Sequence, residues 1–422
     1  METSMPEIPR AAGFDNTLPF LREAYTFVSR RCDRLGSDLF RTRIMLTPVV
    51  CMRGAEAARI FYEGDRFTRR GAMPQTTLRL LQDKGSVQSL DDVAHRHRKG
   101  LFMSLMTPIS ITRTADLLEQ HWRNELPHWQ AAKEVVLMQA MGELLTRTAC
   151  EWTGVPLAER DAPAMAHELQ MIIRQAGHVG PATLWALHLR QRTERRMRRL
   201  IRQVRRGEIL PVEGSALSAI ACHTDPAGTP MDTATAAVEI INLLRPMVAV
   251  RRFITFAALA LHEHPSWRER LATADEDLEP FVQEVRRFYP FFPVIGGRVR
   301  QGFDWGGHHF AKGDWAMLDL YGTNHDSRSW EAPEQFRPER FRNWEGNAFT
   351  MVPQGAGDFM GGHRCPGEWI TIALMKRAVR LLCAMRYSVP PQDLSINLSR
   401  MPTAPRSGFV IRTESGSLPL TR

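Results

Sequence analysis

Long uninterrupted apolar runs are missing from the 422-residue chain. The best of them, Ala236 to Val250, is broken by Glu239, Asn242, Arg245 and Pro246, well short of the roughly 20 clean residues that a membrane-spanning helix needs. The reading is therefore a chain with no transmembrane segment. The stretch from Met1 to Phe20 carries Glu2, Glu7, Arg10 and three prolines and lacks the basic start and apolar middle of a secretory signal, so the expected location is cytoplasmic. Cysteine is scarce: Cys32, Cys51, Cys150, Cys222, Cys365 and Cys383 have no paired spacing. That excludes a disulfide scaffold or zinc ribbon and leaves reduced thiols, of which at most one or two carry chemistry. No Gly/Ser-rich or Pro-rich linker and no short repeat interrupts the patterning, so a single domain over 1–422 is expected. With 43% hydrophobic and 24% charged residues, disordered, collagen and coiled-coil classes are excluded.

The net charge of +9 invites a nucleic-acid reading, but the excess is local. Arg190 to Arg206 holds nine arginines and one glutamate. Met197, Leu200, Ile201 and Val204 fall at i, i+3, i+4 and i+7, an apolar stripe on one basic helix. No zinc-finger or helix-turn-helix pattern accompanies it, so no nucleic-acid partner is expected and a solvated helix face is the simpler account.

The fold class expected is mainly α with a small β region. Helical patterning covers Ala55 to Tyr62, Asp92 to Leu105, Thr114 to Trp129, Val136 to Trp152, Glu159 to Arg174, Leu184 to Arg206, Asp232 to His264, Asp277 to Phe288 and Glu368 to Ala384. Strands are expected in Phe40 to Cys51 around a turn, then in Val294 to Val299, His308 to Phe310, Trp315 to Leu318 and Gly408 to Arg412, so the sheet draws on both ends of the chain.

The sharpest local signal is the run from Gln354 to Glu368, where Gly355, Gly357, Gly361 and Gly362 precede Cys365 at the start of an amphipathic helix. Glycines let the backbone lie against something flat. The helix N-terminus and neighbouring Arg364 would lower the thiol pKa, making Cys365 a candidate thiolate ligand for iron. Upstream, Glu284 and Arg287 share a helical face, and Pro338-Glu339-Arg340-Phe341 follows about fifty residues on. In this order, the three segments resemble the haem-thiolate cytochromes P-450 over essentially the whole chain. The resemblance implies the cytochrome P-450 fold, haem b (iron protoporphyrin IX) ligated by Cys365, and a buried supporting network of Glu284, Arg287 and Arg340.

Two departures from that family's usual pattern are informative. Asp358 stands seven residues before the cysteine, where Phe is usual, and the central helix reads Ile241-Asn242-Leu243-Leu244-Arg245-Pro246 with no acid-alcohol pair. Pro246 removes a helical hydrogen bond, and an unpaired Arg245 in so apolar a helix would cost several kcal/mol, so an anion should meet it. An internal carboxylate and a substrate carboxylate are both open at this point. Arg245-Pro246, the altered Cys loop and Tyr321-Gly322-Thr323-Asn324-His325-Asp326 together resemble the fatty-acid peroxygenase branch. That resemblance implies hydrogen peroxide as oxidant, medium- or long-chain fatty acids as substrates, no obligatory reductase, and hydroxylation at the α or β carbon. The substrate carboxylate, held by Arg245 next to Pro246, would act as general acid-base.

The same resemblance places Gln88 on the distal side of the haem, where relatives that decarboxylate fatty acids to terminal alkenes commonly carry His. It assigns the haem propionates to His95 and Lys99, at i and i+4, and to Arg69. Phe292, Pro293 and Val179 are candidates for the fatty-acid channel, as well as for plain core. A reductase- and dioxygen-dependent monooxygenase of an acidic substrate, or a non-catalytic haem-binding protein, remain the alternatives.

Overall fold

The computed structural model describes residues 7–414 apart from residue 84; the first six residues of the stretch read above for a targeting signal lie outside it. The expected mixture is found. Helices occupy most of the chain, and five strands form the main sheet in the order Leu39–Ile44, Thr47–Arg53, Trp315–Asp319, Val294–Val299, Phe67–Thr68. Thr47–Arg53 runs parallel to Trp315–Asp319, with Val50 beside Ala316, so the sheet joins the two ends of the sequence. Near-continuous apolar runs let the inner strands bury both faces: residues 49–52 and Trp315–Asp319 are buried throughout.

Five expected elements match to the residue: the helices Ala55–Tyr62, Asp92–Leu105 and Glu368–Ala384 and the strands Val294–Val299 and His308–Phe310. The helix expected from Thr114 begins earlier, at Pro108, because Thr107 Oγ1 accepts from the Ser110 N–H and Pro108 fits the first turn. The long helix expected over Asp232 to His264 is two helices, Thr233–Ala249 and Arg251–Glu263, meeting at Val250 four residues beyond Pro246. Together they span 31 residues, long and apolar enough by composition to cross a membrane, yet most of their surface is buried inside the chain. Short helices at Thr17–Glu23, Phe27–Leu35, Gln75–Leu81, Ala216–Ala221 and Pro265–Leu271 carry too few turns for periodicity to reveal them.

The helix Thr233–Ala249 packs against Leu137–Thr153 and Pro181–Arg205. On the other side of the core, Leu278–Phe288 packs against both Pro338–Phe341 and Glu368–Ala384. Of the basic run in Pro181–Arg205, Arg190 is buried against Glu194 at 2.9 Å, and Arg192 reaches Glu168 at 3.0 Å. The run is thus partly an internal charge lattice rather than a wholly solvated face.

Candidate active site

Cys365 closes a loop that is bonded to its own backbone. Its N–H donates to the Gln354 carbonyl at 3.0 Å, and the helix Glu368–Ala384 begins three residues later. Gly355 lies at φ 96°, and a Cβ on it would stand 2.9 Å from the Tyr62 hydroxyl, so backbone and contact both require glycine there. The Asp358 carboxylate accepts from the N–H groups of Met360 and Gly361 at 3.0 and 2.8 Å and so pins the turn before the cysteine.

The expected thiolate needs a correction. Burial of the sulfur raises the Cys365 pKa and Glu368 adds to it, while the Gly367 N–H, Lys99 and Gln354 act the other way. The Arg364 Nε donates to Glu368 at 2.6 Å, so its charge is matched there rather than at the sulfur. One helix-terminal N–H does not offset the loss of water, so a metal cation is needed to hold the sulfur deprotonated.

Beside the loop, the three expected structural residues form one buried network. Arg287 Nε and Nη2 donate to the two Glu284 oxygens at 2.7 and 2.8 Å, and Arg340 Nε reaches the same carboxylate at 3.3 Å. The Arg337 N–H completes it at 2.7 Å. A second network was not foreseen: Arg286 donates to Glu368 at 2.5 Å and to Gln354 Oε1 at 3.1 Å, and Gln354 Nε2 lies 3.8 Å from the Cys365 sulfur. Its sequence signal was Glu368, three residues after the cysteine.

Arg69, His95 and Lys99 come together with His363, which the sequence reading passed over although it sits two residues from the cysteine. The His95 and His363 rings stack at 3.9 Å, and the Arg69 guanidinium lies 5.0 Å from the centre of the Tyr62 ring. Burial depresses all four pKa values, to about 4 for His95, about 8 for Lys99 and about 2 for His363, and for both histidines repulsion from neighbouring bases adds to it. Among the described residues no carboxylate pairs with any of them. The buried Arg69, His95 and Lys99 and the half-buried His363, none of them in an ion pair among the described residues, lie beside a glycine-flanked cysteine and fit haem: the bases suit two propionates and the sulfur suits iron. His97 turns away from this set, with Nε2 2.9 Å from the Thr224 carbonyl.

Arg245 is 6% exposed. Its Nη2 bonds to the Leu81 carbonyl and its Nε has no partner. Burial pushes its pKa down to about 9, with Arg190 and Arg252 repelling it and Cys365 opposing them. Among the described residues no carboxylate meets it, so the internal ion pair left open by the sequence is not formed there. Gln88 lies in the single turn Val87–Ser89, where its Oε1 accepts from Asn242 Nδ2 at 3.3 Å. Asn242 also donates to Glu239 Oε2 at 3.0 Å, while Glu239 Oε1 accepts from the Val87 N–H at 2.8 Å and from Arg98 at 2.9 Å. Glu239 and Asn242, polar interruptions three residues apart in an apolar helix, thereby fasten the turn that carries Gln88.

Phe292 is 36% exposed and meets Phe291 edge-on at 5.0 Å, and the Pro293 carbonyl accepts from the Leu320 and Tyr321 N–H groups. Val179 is 87% exposed between the helices Ala162–Arg174 and Pro181–Arg205, a surface position rather than a lining one.

A sequence profile for the family described as cytochrome P-450 matches residues 278–416. Among solved structures, cytochrome P-450SP alpha is 47% identical at a TM-score of 0.93, over 95% of this chain and 98% of that one. Cytochrome P-450EX alpha with myristic acid is 39% identical at 0.93, over 96% and 98%. A variant of cytochrome P-450 OleT in complex with arachidonic acid is 34% identical at 0.95, over 99% and 100%. Among curated proteins, rhazimal synthase of Alstonia scholaris is 33% identical over 117 residues, 26% of this chain and 22% of that protein. Flavonoid-6-hydroxylase of Mentha piperita is 32% identical over 146 residues, 32% of this chain and 28% of that protein. The chain spans only about a quarter of the length of these curated relatives.

Proposed function

Since the chain belongs to the cytochrome P-450 superfamily, in its fatty-acid peroxygenase branch, we propose that it uses hydrogen peroxide to hydroxylate medium- or long-chain fatty acids at the α or β carbon. The observation that carries this reading is Arg245, a buried guanidinium with no carboxylate partner among the described residues, in a helix without an acid-alcohol pair. Structures of relatives in complex with myristic acid, arachidonic acid and (R)-ibuprofen, all carboxylic acids, support a carboxylate as the missing anion.

Cys365 would hold the iron of haem, and Arg69, His95, Lys99 and His363 would hold its propionates; the group would supply the redox chemistry that moves a peroxide oxygen onto a C–H bond. Arg245 offers two parallel N–H groups to the substrate carboxylate and fixes its position. The carboxylate so held takes a proton from one peroxide oxygen and returns it to the other, the acid-base work that no side chain of this helix performs. Peroxide loses one oxygen to the substrate and leaves as water, so no obligatory reductase is required. Pro246, which lacks an N–H, leaves the carbonyl one turn earlier free, and Gln88, held by Asn242, presents an amide rather than an acid to the same region. With the carboxylate anchored, the carbons next to it are the ones brought to the oxidant, which sets α or β hydroxylation, with decarboxylation to a terminal alkene as a side reaction. The same reading has one haem domain working in the cytoplasm.

A short carboxylic acid tests it. Acetate or butanoate should fill the site over Arg245 and let the holoenzyme oxidise guaiacol, a non-acidic phenol, with peroxide. The rescue should be absent from Arg245→Ala, and equal rescue in both proteins would refute the role of Arg245.

A further inference from the structure

The residues just past the break in the central helix are also arginines. Arg251 and Arg252 are 8% and 3% exposed, yet among the described residues neither meets a carboxylate. Arg251 donates to Gln170 Oε1 and, at 3.4 Å, to the Met138 carbonyl, leaving Nε without a partner. Arg252 lies over the Phe291 ring at 4.8 Å, and both its Nε and its Nη1 are unpartnered. Burial pushes the Arg251 pKa down to about 9, with Arg252 and Arg174 repelling it. A folded chain leaves donors in this state only where something else satisfies them.

Both side chains line a cleft of about 600 Å³ between the start of the helix Leu137–Thr153, the helix Ala162–Arg174 and the segment 397–408. Arg174, Arg400 and Arg406 also line it, against a single carboxylate, Glu143. Of these cations only Arg406 has an acidic partner among the described residues, Asp393 at 3.6 Å. The remaining wall is largely apolar, including Met138, Met171, Ile173 and Pro402. Unpartnered guanidinium groups at the base and aliphatic walls around them match an oxyanion carried on a hydrocarbon chain.

We propose that this cleft is a second anion site, distinct from Arg245, which takes a carboxylate of an aliphatic acid on Arg251 and Arg252. Two sources share that chemistry: a second fatty-acid molecule, or the far end of a diacid whose near end is on Arg245. Arg245 and Arg252 are seven residues apart along the helix axis, about 10 Å of rise, a span within reach of a twelve-carbon diacid.

The test is calorimetric titration of the holoenzyme with dodecanoate, dodecanedioate and inorganic phosphate, without peroxide, so its outcome is separate from that of the peroxygenase reading. The parent should bind two dodecanoates per chain, and Arg251→Gln/Arg252→Gln should bind one, keeping the Arg245 site and the haem spectrum. Removing unmatched buried charges should leave the melting temperature equal or higher, and Arg400→Ser, at the exposed rim, should weaken only the second event, by several-fold. One dodecanedioate per chain, bound at least tenfold tighter than in the double variant, identifies the far end of a substrate; two identify a separate molecule. Displacement of the second dodecanoate by phosphate shows that the head alone is recognised. Parent and double variant binding all three probes alike would overturn the proposal.

Discussion

Two groups of arginines are buried to nearly the same extent, and they are held in opposite ways. Arg286 and Arg287, in the helix Leu278–Phe288, each meet a buried carboxylate, Glu368 at 2.5 Å and Glu284 at 2.7 Å. Arg245, Arg251 and Arg252 meet backbone carbonyls, an amide and an aromatic ring instead. Desolvation costs each of the five several kcal/mol. In the first group the chain offsets that cost itself, so those residues serve the fold. In the second the cost stands until an anion arrives, which ties those residues to ligands.

The largest effects should come from breaking the matched group. Glu284→Ala strands Arg287 and Arg340 and is expected to lower stability by about 3 to 5 kcal/mol, read as a lower melting temperature and poor haem content. Normal values would mean the network is not structural. Next, Cys365→Ser should keep the fold but abolish the long-wavelength Soret band of the ferrous carbon monoxide complex; an unchanged spectrum would remove the cysteine from the iron. Asn242→Leu releases Gln88 and leaves one Glu239 oxygen without its donor, at about 1 to 3 kcal/mol, with reduced turnover; a stability and rate equal to the parent's would show that the turn is held by other contacts. The smallest change expected is Gln88→His, which should move products toward terminal alkene without loss of activity. An identical product ratio would deny position 88 a directing role.

How much of this was legible in sequence follows the same division. The Glu284, Arg287 and Arg340 network was readable only through the family resemblance, since an i, i+3 Glu/Arg pair by itself reads as an ordinary surface pair. Glu368 stands in the cysteine segment, but its partner Arg286 does not stand out among the chain's many arginines until the helices are packed, so the pair was missed. Arg245 was readable because charge in an apolar helix is anomalous on its face. Arg251 and Arg252 are the same anomaly, but they stand just past the end of the apolar run at Val250, and only the burial of the helix Arg251–Glu263 makes them exceptional. The thiol pKa was misjudged for a similar reason: burial of the sulfur, which raises it, is invisible in the chain order, and the fold turns the neighbouring Arg364 guanidinium onto Glu368.

The central claim is that an unmatched guanidinium in the central helix marks the seat of a substrate carboxylate. The most direct measurement is product analysis after purified holoenzyme is given hydrogen peroxide and tetradecanoate, with no reductase present, for the parent and for Arg245→Ala. The account predicts 2- and 3-hydroxytetradecanoate from the parent and none from the variant, whose thiolate spectrum and melting temperature should be retained. Equal product from both proteins, or a parent inert to peroxide that turns over only with dioxygen and a reductase, would contradict it.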